Sequence, residues 1–324
     1  MFLFISRSSP HARDITTMKY LLTVVSLNEQ VSKFIASLGY EVITPEQLNE
    51  DNASQIEVIM SNGTGIVTKE LLDKLPQVKM IDNFGVGYDG VDIAECKRRN
   101  IALCTTPGVL TEDVADLAMG LMLSLSRRIT QSHNFIHANL WETGAKFPLG
   151  TKVSGKKVGI FGLGRIGSAV AARCQGFNME VHYYDRVAKP TSYIKANSLE
   201  DLAAQVDYLV VCAAATQENH KIINAAVLQA LGAQGMLINI ARGSLVDEQA
   251  LCQALEQGVI KGAALDVFAC EPYVPQALLN QDNVVLSSHI ASATVETRKQ
   301  MADIVNANLA AFVAGQELPT KLAW

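Results

Sequence analysis

Residues 157–167 read KVGIFGLGRIG, an apolar run followed by a turn that contains three glycines. The helix-like stretch 168–173, SAVAAR, comes next, so the order is strand, glycine turn, helix. An acidic residue, Asp185, ends the apolar run that follows. A strand before the glycines and an acid about 20 residues after them are the context in which such a turn binds a dinucleotide. The stretch therefore predicts a Rossmann-type domain that binds NAD.

Each glycine of this turn has a separate predicted role. Gly162 makes the tight turn, Gly164 lets the backbone approach a pyrophosphate, and Gly167 lets the helix pack against the strand. The free N–H groups at the start of the helix then face the phosphates. Asp185 would accept hydrogen bonds from the adenosine ribose hydroxyls and repel a 2′-phosphate, whereas its neighbour Arg186 can attract one. We expect Asp185 to dominate, which predicts NADH rather than NADPH.

Strand-like and helix-like segments alternate along the rest of the chain, which predicts an α/β fold with two doubly wound, Rossmann-like parallel sheets. The predicted strands are 19–26, 41–44, 57–61, 79–83 and 101–104 in the first half, and 157–161, 180–184, 208–212, 236–240, 262–267 and 284–288 in the second. The predicted helices include 28–38, 69–75, 92–99, one long helix over 111–137, and a last one over 295–314.

This order predicts two domains, as the length of 324 residues also favours. A flavodoxin-like substrate domain is predicted from residues 18–107 and 293–324, since the last helix is expected to return to it. The dinucleotide-binding domain is predicted over residues 108–292. Residues 1–17 have no clear pattern, and we interpret them as an N-terminal extension.

Composition limits the classes of function. The chain is 49% hydrophobic with a net charge of −5 and has no basic block, which argues against nucleic acid and anionic membranes as partners. Its apolar runs are too short to span a membrane. Six scattered cysteines, with no C-x-x-C pair, are interpreted as small buried side chains of a cytoplasmic protein. His133 and His137 are one helical turn apart but have no third ligand nearby, so no metal site is predicted.

Polar residues follow three of the predicted strands of the second half: Arg242, Glu271 and His289. Ligands bind at the carboxyl ends of parallel strands, so these side chains are expected to converge. Glu271 would accept a hydrogen bond from one His289 nitrogen and fix its tautomer, leaving the other nitrogen for a substrate oxygen. The Arg242 guanidinium suits a carboxylate. Each residue alone also fits a structural role, Arg242 in a surface ion pair and Glu271 at a helix start.

On these residues the chain resembles the D-isomer-specific 2-hydroxyacid dehydrogenase family over nearly its whole length. The matching stretches are NFGVGYD at 83–89, TPGVLT at 106–111, GLGRIG at 162–167, NIARGSLVDE at 239–248, LDVFACEP at 265–272 and SHIA at 288–291. The segments VADLA at 114–118 and VETR at 295–298 are similar to the glyoxylate/hydroxypyruvate and hydroxyphenylpyruvate reductase branch.

The resemblance implies roles for these residues. It implies that the trio Arg242, Glu271 and His289 is catalytic, and that the substrate carboxylate is bound by Arg242 and by backbone N–H groups of Gly85, Val86 and Gly87. It implies further cofactor contacts from Arg165, Ile166, Thr216, Ala241 and Asp266, with Asp266 holding the nicotinamide carboxamide. Two departures stand out: the segment before Thr216 lacks the usual proline, and plant members of this branch tend to have a non-acidic residue at the position of Asp185.

These observations together predict an NAD(H)-dependent oxidoreductase that interconverts a 2-ketoacid and a D-2-hydroxyacid. A homodimer is predicted, because residues 139–148 include apolar side chains, among them Trp141 and Phe147, in a stretch without a helix or strand pattern. Another substrate, such as phosphoglycerate, a sugar 2-ketoacid or formate, remains an alternative. So do an NAD-sensing scaffold resembling transcriptional corepressors and a nucleotide-binding module without chemistry.

Overall fold

The structure is a computed structural model that describes residues 19–323. The predicted extension over residues 1–17, and residues 18 and 324 at the ends of the predicted first domain, lie outside the described residues. Contacts within the chain define two compact units. The first unit runs to Thr106 and resumes at Met301, and the second comprises Pro107–Gln300.

The first unit contains a sheet of five parallel strands in the order β2-β1-β3-β4-β5. The strands are β1 (Lys19–Thr23), β2 (Tyr40–Ile43), β3 (Val58–Asn62), β4 (Met80–Phe84) and β5 (Ala102–Cys104). The helices between them are α1 (Glu29–Ser37), α2 (Glu50–Ala53), α3 (Lys69–Asp73) and α4 (Ile93–Arg98). This strand order is that of flavodoxin-like folds, as predicted.

Both faces of this sheet are covered. Successive side chains of a strand point to opposite faces, and Leu21 and Leu22 of β1 accordingly belong to two separate buried clusters. Ala302, Val305 and Leu309, from the last helix, α12 (Val295–Val313), pack in the same cluster as Leu21. Strands buried on both faces read as continuous apolar runs, which is why these strands were recognisable in the sequence.

One acidic side chain lies inside the first unit. Asp82 of β4 is fully buried, and one of its carboxyl oxygens accepts a hydrogen bond from Asn308 Nδ2 at 3.1 Å. The other carboxyl oxygen has no partner among the described residues. Burial raises the pKa of Asp82 from 3.8 to about 8, and the hydrogen bond from Asn308 only partly opposes this shift. The folded protein therefore holds a proton at neutral pH that the unfolded chain releases.

We expect Asp82→Asn to remove a pH dependence of stability. The pKa of Asp82 is higher in the folded protein than in the unfolded chain. The contribution of its bound proton to the free energy of unfolding is therefore fully present below about pH 4 and is lost as the pH rises towards about 8. The total loss should be on the order of a few kcal/mol. An asparagine keeps an acceptor for Asn308 and does not titrate. Urea unfolding of both proteins across this pH range tests the prediction, and parallel curves for the two would contradict it.

The second unit contains a sheet of seven parallel strands in the order β12-β11-β10-β9-β6-β7-β8. The strands are β6 (Lys157–Phe161), β7 (Glu180–Tyr184), β8 (Ile194–Lys195), β9 (Tyr208–Val211), β10 (Met236–Asn239), β11 (Gly262–Leu265) and β12 (Val284–Leu286). Its helices are α5 (Thr111–Arg127), α6 (Ile129–His137), α7 (Arg165–Gly176), α8 (Leu199–Ala204), α9 (Ala225–Leu231), α10 (Glu248–Glu256) and α11 (Gln276–Leu279).

Two expectations for this unit were wrong. The edge strand β8 was not predicted from the sequence. It has only two residues, both exposed, so no apolar run indicates a strand there. The single helix expected over 111–137 is broken at Arg128, which has a left-handed φ of 55°. A continuous helix would use the Ser126 carbonyl for its own ladder, but this carbonyl accepts a hydrogen bond from Thr151 N–H at 2.7 Å. The break between α5 and α6 thus depends on the segment around Thr151, which is distant in the sequence.

The cysteines are only partly as expected. Cys96, Cys104 and Cys174 are buried, whereas Cys270 is exposed in the loop after β11, so the interpretation of all six as buried side chains was wrong.

Over residues 19–323, no helix has both the length and the apolar character to cross a membrane. In the same range, no three His, Cys, Asp or Glu side chains are placed to hold a metal ion.

Candidate active site

The glycine turn after β6 has three different environments for its glycines. Gly162 has a φ of 91°, and a Cβ there would lie 2.5 Å from the Ala213 backbone. A Cβ on Gly167 would lie 2.1 Å from the Gly162 carbonyl oxygen, so this residue allows the helix to pack closely. A Cβ on Gly164 would meet nothing within 4 Å. Gly164 therefore faces open space, as expected where a ligand approaches the backbone.

Helix α7 begins directly after this turn, at Arg165. The first N–H groups of a helix have no partner within it, and here they belong to Arg165, Ile166 and Gly167. Arg165 is exposed and Ile166 half-buried. The start of α7 thus offers free donors and the positive end of the helix dipole, a combination that binds phosphate groups.

The acid at the end of β7 is held by the same turn. Asp185 Oδ2 accepts a hydrogen bond from Leu163 N–H at 3.0 Å and lies 3.5 Å from Lys189 Nζ. Arg186 is 79% exposed and contacts only the equally exposed Glu218, at 3.5 Å, among its ion pairs. Asp185 is therefore fixed by the backbone, and Arg186 is free to turn into solvent. Lys189 was missed, since it stands in a loop where spacing carries no signal.

The structure brings Glu271 and His289 together, although 18 residues separate them. Glu271 Oε2 lies 2.7 Å from His289 Nδ1, and Oε1 accepts a hydrogen bond from Phe268 N–H at 3.0 Å. His289 Nε2 has no hydrogen-bond partner among residues 19–323. Partial burial raises the pKa of Glu271, but the hydrogen bonds from His289 and Phe268 and the charges of His289 and Arg242 lower it overall. The carboxyl is therefore ionised at neutral pH.

His289 is held in an unusual backbone conformation by one buried acid. Its φ is 55°, and its N–H donates to the Asp266 carbonyl at 2.8 Å. The Asp266 carboxylate accepts from Ser287 Oγ at 2.6 Å, Ile290 N–H at 2.9 Å and Ala291 N–H at 3.0 Å. Asp266 therefore organises the loop that carries His289. This role was missed; its signal is an acid directly after an apolar strand.

The Arg242 loop is organised in a similar way by Asn239, at the end of β10. Asn239 Nδ2 donates to the Arg242 carbonyl at 2.8 Å, and its Oδ1 accepts from Ala241 N–H at 3.1 Å. A Cβ on Gly243 would lie 1.9 Å from the Phe268 carbonyl carbon. Only a glycine therefore lets this loop pack against the loop that carries Glu271. Asn239 was also missed in the sequence.

Two further predicted positions belong to other loops than those that carry Glu271 and His289. Thr216 is exposed after β9, where its N–H donates to Asn219 Oδ1 at 2.7 Å. In the first unit, Gly85–Gly87 form a turn directly after β4, with Gly85 at a φ of 153°. The roles predicted for these residues stay predictions.

The second unit thus presents an imidazole, a carboxylate and a guanidinium at the ends of neighbouring strands. The carboxylate orients the imidazole through its hydrogen bond to Nδ1. The remaining imidazole nitrogen can donate a proton to an oxygen or take one from it. A guanidinium beside this pair can hold an anionic group of the same molecule. This is what proton transfer to the oxygen of a carboxylic substrate requires.

Comparison with known proteins is consistent with this geometry. Residues 119–291 match the family described as D-isomer specific 2-hydroxyacid dehydrogenase, NAD binding domain. Glyoxylate/hydroxypyruvate reductase A of Arabidopsis thaliana is 45% identical over 280 residues, covering 86% of this chain and 89% of the relative. Hydroxyphenylpyruvate reductase of Plectranthus scutellarioides is 46% identical over 269 residues, covering 83% and 86%.

A solved structure is similar over almost the full length. An NADPH-dependent glyoxylate/hydroxypyruvate reductase from Sinorhizobium meliloti, in complex with NADP and malonate, has a TM-score of 0.89 and 38% identity. The similarity covers 95% of this chain and 97% of that one. The predicted fold class and the predicted enzymatic character are thereby confirmed. That structure contains NADP, whereas the sequence of this chain predicts NADH, so the comparison confirms a nicotinamide cofactor but not the preference for NADH.

Proposed function

The chain belongs to the D-isomer specific 2-hydroxyacid dehydrogenase family, and from this premise we propose a reductase that converts glyoxylate and hydroxypyruvate into 2-hydroxyacids with NADH. As an oxidoreductase of this family it interconverts 2-ketoacids and 2-hydroxyacids. The observation that carries the proposal is the 2.7 Å contact between Glu271 and His289 beside Arg242. The names of the Arabidopsis relative and of the Sinorhizobium structure favour these two small ketoacids, whereas the name of the Plectranthus relative favours an arylpyruvate.

We assign the proton transfer to His289. In the reductive direction, the protonated imidazole donates through Nε2 to the carbonyl oxygen of the ketoacid as that oxygen becomes an alkoxide. Glu271 binds Nδ1 and thereby keeps Nε2 directed at the substrate. Arg242 binds the carboxylate and aligns the neighbouring carbonyl carbon. In the proposal, the N–H groups of Val86 and Gly87 also bind a substrate carboxylate.

The chain has the features that a nicotinamide dinucleotide requires. The open space at Gly164 and the free N–H groups of α7 fit a pyrophosphate, and Asp185 fits a ribose. When bound, the cofactor supplies the hydride for reduction. Arg186, Thr216, Ala241 and Asp266 are proposed as further contacts, as the family resemblance implies.

The proposed activity can be tested with a panel of ketoacids. Glyoxylate, hydroxypyruvate, pyruvate, phenylpyruvate and 2-ketogluconate would each be mixed with NADH or NADPH, and cofactor oxidation followed by absorbance. Glyoxylate and hydroxypyruvate with NADH should give the highest kcat/KM. Faster turnover of phenylpyruvate would favour an arylpyruvate reductase, and turnover of none of the five would overturn the proposal.

We expect kcat/KM to favour NADH over NADPH by at least roughly tenfold, or about 1.4 kcal/mol. Asp185 is fixed by Leu163 N–H, so its charge would face a 2′-phosphate at close range. Asp185→Ser should narrow or invert the ratio, because Arg186 and Lys189 can then attract the phosphate without opposition.

The matched variant is Asp185→Asn. It removes the negative charge but keeps an oxygen that can accept the hydrogen bond from Leu163 N–H. The variant therefore separates the repulsion of a 2′-phosphate from the role of this hydrogen bond in holding the glycine turn. Both variants should shift the ratio in the same direction. A wild-type enzyme that prefers NADPH would show that Lys189 and Arg186 outweigh Asp185.

We also propose a two-fold symmetric homodimer formed through the apolar surface of α6 and the segment that follows it. Trp141 is 71% exposed and Leu149 is 96% exposed, and α6 buries no residue. Phe147 instead packs on Phe135 of α6, with ring centroids 5.3 Å apart. Exposed apolar surface of this kind is typical of protein interfaces.

Light scattering at micromolar concentration should therefore give the mass of a dimer. Trp141→Glu should shift the equilibrium to the monomer, because it places a charge in the interface. Val313→Glu, at an exposed position of α12, is the control and should not change the mass. A monomeric wild-type protein would contradict the proposal.

A further inference from the structure

The turn that follows β4 in the first unit is organised by one buried asparagine. Asn83 is 0% exposed, and its Nδ2 donates to the carbonyl oxygens of Gly85, at 3.1 Å, and Gly87, at 3.0 Å. The Gly85 carbonyl also accepts from Thr106 N–H at 2.9 Å. Two carbonyl groups of the turn are therefore directed at the interior of the first unit.

The direction of these carbonyls determines the direction of the N–H groups. In a planar trans peptide, the C=O and N–H bonds point to opposite sides. The N–H groups of Val86 and Tyr88 must therefore point away from Asn83. None of the N–H groups of Val86, Gly87 and Tyr88 has a hydrogen-bond partner among residues 19–323, and Val86 and Tyr88 are each 37% exposed. The outward N–H groups of Val86 and Tyr88, both without partners in this part of the chain, can therefore bind an anion.

The orientation of the Asn83 amide has a cost. Its Oδ1 is buried without a partner among the described residues. Reversing the amide would not remove the problem, since the oxygen would then face two carbonyl oxygens. The orientation that binds both carbonyls is thus the only one compatible with the turn, and the fold tolerates an unsatisfied acceptor to keep it.

We propose that Asn83 is a positioning residue that aims the backbone N–H groups of Val86 and Tyr88 at the substrate carboxylate. The inference rests on the proposed function, in which the anion at this turn is the carboxylate of a ketoacid. Asn83 itself does not touch the substrate. Its removal should therefore weaken carboxylate binding, while the affinity for the cofactor is unchanged.

The test compares three variants of the full-length protein. Asn83→Ala removes the donor, and Asn83→Ser leaves a shorter hydroxyl that can reach one carbonyl at most. The matched control is Asn52→Ala in the same unit, because Asn52 is also buried and bonds the backbone through Gln47 O and Asn49 N–H. Thermal melting confirms that each variant is folded. The readouts are KM for glyoxylate, KM for NADH, and the Kd for oxalate, an unreactive carboxylate.

For Asn83→Ala we expect KM for glyoxylate and Kd for oxalate to rise by about tenfold, the loss that one charge-assisted hydrogen bond would cause. Asn83→Ser should be intermediate, and KM for NADH should not change. Asn52→Ala should lower stability without changing either carboxylate constant. Unchanged oxalate binding in folded Asn83→Ala and Asn83→Ser would overturn the inference.

The outcomes also separate this inference from the proposed function. If the wild-type protein reduces no ketoacid but binds oxalate, and Asn83→Ala weakens that binding, the proposed function fails and the role of Asn83 stands. If the wild-type protein reduces glyoxylate and the Asn83 variants match it in every constant, only the role of Asn83 fails. A wild-type protein that neither reduces glyoxylate nor binds oxalate would overturn both.

Discussion

Replacing His289 with alanine is expected to lower kcat by about 10²- to 10⁴-fold, the usual contribution of a general acid. His289 Nε2 has no protein partner among the described residues, and Nδ1 is bound to Glu271 at 2.7 Å, so the ring is oriented for transfer through one nitrogen. The alanine variant should bind NADH normally, because the glycine turn and Asp185 are unchanged. Steady-state kinetics and a fluorescence titration with NADH measure the two effects separately.

Two further variants are needed to interpret the effect of His289→Ala: a control at an exposed histidine and a change at Glu271. His133→Ala changes an exposed histidine of α6 and should leave kcat unchanged. Glu271→Gln removes a carboxylate that is ionised at neutral pH, because its pKa is lowered overall. The glutamine keeps an acceptor for His289 Nδ1 but loses the negative charge, so the ring is held by a weaker hydrogen bond and kcat should fall by less than in His289→Ala. Turnover of His289→Ala near that of the wild type would exclude His289 as the acid.

The sequence was informative where a residue's role depends on its neighbours in the chain. The bounds of β6 and β7 were predicted without error, because most of their residues are apolar or aromatic and a glycine or an acid follows each strand directly. The break at Arg128 could not be predicted in this way. It depends on a hydrogen bond from Thr151 N–H to the Ser126 carbonyl, and Arg128 is not a glycine or asparagine, the residues that usually adopt the left-handed conformation at a helix end.

The same distinction, between roles set by neighbours in the chain and roles set by distant residues, applies to the candidate site. Arg242, Glu271 and His289 could be found because each is a polar residue that follows an apolar strand, at the edge where ligands bind. The buried residues that orient them could not be assigned a partner from the sequence. Asp266, for example, bonds to residues 21 to 25 positions away, a distance that only the sheet brings into contact. The same holds for Lys189, whose link to Asp185 passes through an irregular loop.

Replacing Arg242 with lysine is expected to raise KM for the ketoacid and lower kcat together, with a loss in kcat/KM on the order of 10²-fold. A lysine keeps the positive charge but loses the planar fork that binds a carboxylate through two hydrogen bonds. The backbone of Arg242 is held by Asn239, and Gly243 allows its loop to pack against the Glu271 loop. The backbone that carries the guanidinium is therefore held in place, and an ammonium group at this position cannot compensate by a movement of the loop.

Arg173→Lys is the matched control for this loss of the fork. Arg173 bonds Asp116 at 2.6 Å and Glu112 at 2.8 Å, so it is also a forked arginine between carboxylates, but it lies on α7 away from the strand ends. Its replacement should cost some stability and leave both kinetic constants unchanged. If Arg242→Lys behaved in the same way, with an unchanged KM for the ketoacid, Arg242 would be an ion-pair residue that supports Glu271. A combined change in KM and kcat, in contrast, requires that the same guanidinium binds the carboxylate and aligns the carbon that accepts the hydride.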